Sequence, residues 1–138
     1  MIIFRNSSCV TEWLPEKNAL INRWKGVVRE EEFVGTMKAC MWFAAENPVK
    51  HYVSDRTDLE YLWDGWEDWS VKNLANNPRS SKTVDFILID PNRNFAPFLQ
   101  EDFEMRFREN GSELRVKIAH DNEELKDILS KKKSKSSV

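Results

Sequence analysis

"TVDFILID", residues 83–90, is the most apolar strand-like run in the chain. Val, Phe, Ile and Leu in a short block bounded by polar residues are the pattern of a strand buried on both faces. Such a strand is expected at the centre of a sheet that helices cover. It requires neighbours on either side, and the chain supplies them.

Downstream, Pro97 suits the first position of a helix, and Phe95, Leu99, Phe103 and Phe107 recur every four residues until Asn110-Gly111 supplies a left-handed stop. "LRVKIA" (114–119) then alternates as a strand does. Asp121 followed three residues later by Glu124 has the form of a capping box, opening a helix with Leu125, Ile128 and Leu129 inward. Upstream, "KHYVSD" (50–55) reads as a short strand, a helical pattern runs from about Asp58 to Asn76, and Asn77-Pro78 with "RSSK" forms a loop.

Between 30 and 46, Phe33, Met37, Cys40, Met41 and Ala44 make the apolar stripe of a helix. Glu30, Glu31 and Glu32 suit its positive end, and Asn47-Pro48 stops it. Gly35 inside this helix costs about 1 kcal/mol relative to alanine and is expected to mark close packing on the sheet. Residues 8–25 carry β-branched and aromatic residues on both sides of "PEKN", where Pro15 presets φ and Asn18 tolerates a left-handed backbone, so a hairpin is expected. "MIIF" adds a short edge strand. The order predicts an α/β fold, a single mixed β-sheet with a leading hairpin and crossover helices. Residues 1–130 form one domain, and the Lys/Ser-rich 131–138 a flexible tail.

The chain has 138 residues, 41% of them hydrophobic and 32% charged, with formal net charge −2. That suffices for one self-supporting core. Without a basic patch, nucleic acid is not an expected partner. Cys9 and Cys40 lack the spacing of a disulfide framework or a zinc site, no run approaches the length of a membrane span, and "MIIF" is too short for a signal-peptide core. A cytoplasmic protein without metal or cofactor is expected. The terminal Lys131, Lys132, Lys133 and Lys135 read as a solvated tail. With four glycines and no phosphate-wrapping loop, nucleotide binding is disfavoured.

In their order, "ALINRWKGVVREEEF", "HYVSDRTDL", "VDFILID" and "RVKIAHDNEELKDIL" resemble the STAS-like (SpoIIAA-like) superfamily, the fold of bacterial anti-sigma-factor antagonists, and in particular its small uncharacterised bacterial members. The resemblance covers nearly the whole chain. It implies a non-catalytic regulatory or protein-interaction module whose partner is another protein or a second copy. In regulatory members a hydroxyl in a D-S-S-G-like motif, at the start of the second helix, is phosphorylated by a partner kinase. The matching region here is Asp55-Arg56-Thr57-Asp58, where Thr57 is the hydroxyl in place and no glycine follows. Phosphate on Thr57 would stand beside Asp55 and Asp58, with Arg56 as counter-charge.

"YLWDGWEDWS" (61–70) poses a separate question. At 100° per residue, Leu59, Leu62, Trp63, Trp66 and Trp69 share an arc of roughly 120°, with acidic residues elsewhere. Such a face covers the sheet, docks a protein, or lines a pocket for a small apolar ligand between helix and sheet. Gly65 falls in mid-helix on this reading. Asp55 and Asp90 both end predicted strands, where two carboxylates either converge in a crevice or cap the next loop or helix. His51 and His120 lack ligand-spaced neighbours, and Cys40 lies on an inward stripe, so neither metal nor nucleophilic chemistry is expected.

Overall fold

The computed structural model describes residues 1–75, 83–91 and 97–130; the Asn77-Pro78 loop, Phe95 and the 131–138 tail lie outside them. In chain order the described residues form β1 (Ile2–Arg5), β2 (Cys9–Leu14), β3 (Ala19–Val28), α1 (Glu30–Ala44), β4 (His51–Leu62), α2 (Trp66–Ala75), β5 (Asp85–Ile89), α3 (Pro97–Glu109), β6 (Arg115–Ala119) and α4 (Asn122–Ser130). The strands make one sheet in the order β1-β2-β3-β4-β5-β6. β1, β2 and β3 pair antiparallel, whereas β3, β4, β5 and β6 pair parallel. The fold is therefore α/β with a single mixed sheet.

The hairpin forms as its sequence dictates. Asn18 adopts φ 53° at the end of the turn, and its carbonyl accepts the N–H groups of Lys50 and His51, fastening the start of β4 to the turn. Each parallel pair then needs a crossover, supplied by α1, α2 and α3. Alternation along the strands divides the core. Leu20, Trp24, Tyr52, Phe86, Leu88 and Val116 pack on the side of α1, α2 and α3. Ile21, Val53, Ile87, Ile89 and Ala119 pack on the side of α4 with Leu125. β5 is buried on both faces, as "DFILI" requires, although it lies one strand from the edge rather than at the centre.

The β6 edge is capped by side chains at Val116. Gln100 donates to the Val116 carbonyl at 2.7 Å, and the Glu104 carboxylate accepts the Val116 N–H at 2.8 Å, so α3 satisfies the two backbone groups that the edge leaves open there. At the same end of these strands, buried Asp85, in register with Arg115, is held by His51 at 2.6 Å and Lys117 at 3.1 Å. An ion so enclosed needs both partners.

Gly35 departs from expectation. It is exposed on α1, and a methyl group there would meet nothing, so it marks no close packing. Its cost is conformational alone. Gly35→Ala should therefore stabilise the protein by about 0.5–1 kcal/mol in denaturant unfolding.

Candidate functional site

β4 is twice as long as its sequence suggests. β5 pairs only with His51–Asp55, while β3 continues alongside β4 to Leu62. The helical pattern read from Asp58 is thus overturned, since residues 58–62 are strand and α2 begins at Trp66. The physical reason is that Lys25–Val28 of β3 need a ladder partner and Asp58–Leu62 provide it. Two bulges fit the strands together. Arg56 and Thr57 both stand against Trp24, and Glu60 is the extra residue between Leu59 and Tyr61, opposite Gly26, whose φ is +67°.

The first bulge organises the predicted switch segment, and Asp55 sits inside β4 rather than at its end. Its carboxylate accepts the Thr57 N–H at 3.0 Å, the Thr57 hydroxyl at 2.6 Å and Arg23 Nη1 at 2.8 Å. It so satisfies the bulged N–H, a capping role within a strand. Arg23 also reaches Glu12 at 3.0 Å. Thr57 is exposed in mid-strand, not at a helix start, and Asp58 beside it is exposed too. Arg56 turns to the opposite face, so the cation nearest Asp55 and Thr57 is Arg23.

Arg56 stacks over Trp66, its guanidinium carbon 4.2 Å from the ring centroid. Its Nε is shielded from water and makes no hydrogen bond. Burial lowers its pKa to about 10, against the pull of Asp90 and Glu67. Glu67, at the start of α2, is pushed up chiefly by burial, an effect that Arg106 opposes at 3.7 Å. Arg106 also bonds Asp68.

The five residues assigned to one aromatic helix face come from three elements. Leu59 and Leu62 belong to β4, Trp63 to the turn, and Trp66 and Trp69 to α2. All five are partly buried and pack on the larger core cluster. Phe33 lies 6.1 Å from Trp63 and 5.8 Å from Trp69, and Trp66 meets Phe103 at 5.3 Å. Gly65 is in the turn, not in mid-helix. The Trp63 ring occupies the place a side chain at 65 would take, which is why only glycine fits there. The space left between Trp24, Phe33, Ser54, Arg56, Trp66 and Phe86 is about 10 Å³, room for one water-sized group.

Asp55 and Asp90 do not converge. Asp55 is in register with Ile89 and faces the α4 side, and alternation turns Asp90, the next residue, to the other face. His51 is committed to Asp85, and among the described residues no cluster of metal-ligating side chains occurs. Both cysteines are buried free thiols in a polar knot under α1, where Thr11 donates to the Asn22 side-chain oxygen at 2.7 Å and Cys40 to the same oxygen at 3.4 Å.

The surface feature that the apolar stripe of α1 concealed is Trp42, 66% exposed. A tryptophan off the stripe of an amphipathic helix was the available signal. With Ile3, Phe4, Phe43 and Glu46 it lines an open groove of about 310 Å³ beside β1, where Ile2 is 51% exposed. Among the described residues no strand pairs with the outer edge of β1. No helix among them is long and apolar enough to cross a membrane.

The thiols provide a check on the core. Burial pushes Cys9 and Cys40 up to about 12, above the ordinary range near 8.5. A group whose folded pKa is raised contributes stability below its unfolded value and loses it above. Stability should thus fall between pH 8.5 and 12, by roughly 1 kcal/mol per pH unit for each thiol. In Ellman titration at pH 8 both should stay unreactive until denaturant is added. Comparison with family models, curated proteins and solved structures finds no match to this chain.

Proposed function

We propose that the protein works by binding another protein, as a non-catalytic regulatory or interaction module of STAS-like architecture in the bacterial cytoplasm. The observation that carries this reading is the groove of Trp42 beside the outer edge of β1. Tryptophan is the commonest anchor of protein interfaces, and an open strand edge offers main-chain hydrogen bonds to an extended segment. Ile3, Phe4 and Phe43 ask for an apolar side chain from that segment, and exposed Glu46 for a basic one. The strand and helix order, headed by its hairpin, supports the STAS-like part of the reading. The rival reading, a carrier of an apolar ligand between the tryptophans and the sheet, has about 10 Å³ to work with, whereas small-molecule sites run to hundreds.

Thr57 remains the switch residue in this proposal, through a different cation. Phosphate on its hydroxyl would abolish the bond to Asp55 and compete for Arg23, which bridges Asp55 and Glu12. Glu12 is the cross-strand partner of Ile2, so the competition reaches the edge where the partner docks.

A photo-crosslinking residue in place of Trp42, with one in place of exposed Met105 as control, tests the surface in extract from the native cell. One discrete adduct from position 42, absent from 105 and lost on Ile2→Glu, is the expected result. An adduct of twice the chain's mass would identify the partner as a second copy. Indistinguishable labelling from the two positions would contradict the proposal.

A further inference from the structure

We propose that Arg56 and Ser54 form a small oxyanion site at the C-terminal end of the β4–β5 pair, taking one oxygen of a carboxylate or phosphate. Two donors line it. Arg56 Nε, shielded from water, has no acceptor. Ser54 accepts the indole N–H of Trp24 at 3.1 Å, and its own hydroxyl proton has no acceptor among the described residues. The two residues lie i and i+2 on β4, and both line the space of about 10 Å³. That space admits one oxygen atom, so the body of the ligand stays at the mouth.

The electrostatics agree. A guanidinium N–H shut off from water without an acceptor is costly, and an oxyanion satisfies it with a charge-assisted hydrogen bond. Even at about 10, its pKa keeps Arg56 charged at neutral pH. Trp66 under the guanidinium fixes its plane. Asp90 and Glu67 attract Arg56 through space and would repel an incoming anion, which sets a signature for the test. The location also suits a ligand, since α/β sheets bind theirs beyond the carboxyl ends of parallel strands.

Trp66 makes the site self-reporting. The full-length protein is titrated at constant ionic strength with sodium acetate, inorganic phosphate and a chloride control, reading tryptophan emission. A saturable change with acetate or phosphate and none with chloride is expected, and whichever anion responds identifies the ligand's chemistry. Arg56→Met, which keeps the stem over Trp66, should weaken binding about tenfold or more, and Ser54→Ala severalfold. Glu67→Gln should tighten it, as a purely structural role for Arg56 would not predict. If Arg56→Met fails to fold, Ser54→Ala and Glu67→Gln with their opposite signs decide. No saturable response to either anion, or variants titrating like the parent, would overturn the site.

Discussion

The structure depends on the pairing of β3 with β4 along the full length of both. That ladder is the junction of the antiparallel and parallel halves of the sheet, because β3 is antiparallel to β2 and parallel to β4. It also runs past the end of β5, so the chain must leave β4 high and drop back through the turn at 63–65 into α2. Two bulges absorb the mismatch, and each has a local device: the Asp55 carboxylate takes the Thr57 N–H, and Gly26 accepts a left-handed backbone. Remove the extension, and Trp63, Trp66 and Arg56 lose the positions from which they meet the core.

The indoles owe their places to that geometry. Trp63 comes from the turn, and Trp66 and Trp69 from the first turn of α2. Delivered from a turn and a helix start, they close around Phe33 and Phe103. The interior so filled retains a water-sized space, and the polar residues at its wall include Asn22, Tyr52, Ser54 and Arg56. On the outside the same sheet treats its edges unequally. β6 is capped at Val116 by Gln100 and Glu104, while β1 stands beside an exposed tryptophan.

Much of this was legible in the sequence. Doubly buried "DFILI", the Pro15–Asn18 turn, the stripe of α1 and the Gly111 stop each had one dominant local cause, and each formed as read except that "DFILI" stands one strand from the edge rather than at the centre. Residues 58–62 had two. Leu59 and Leu62 fit a helical spacing and Leu59 with Tyr61 fits a strand, so periodicity could not arbitrate, and pairing to a distant segment did. The bulge has no signature in "DRTD", and the separation of Asp55 from Asp90 follows from a register, Asp55 against Ile89, that only the pairing of β4 with β5 fixes. Trp42 was visible as an off-stripe indole, but its groove requires knowing that β1 lies alongside α1.

The most direct test of this account is backbone NMR of residues 55–66. Strand-type chemical shifts for Asp58–Leu62, with cross-strand amide contacts from Gly26 to Leu59 and from Val28 to Leu62, are the predicted result. Helical shifts beginning at Asp58, with no contacts from that segment to β3, would contradict it.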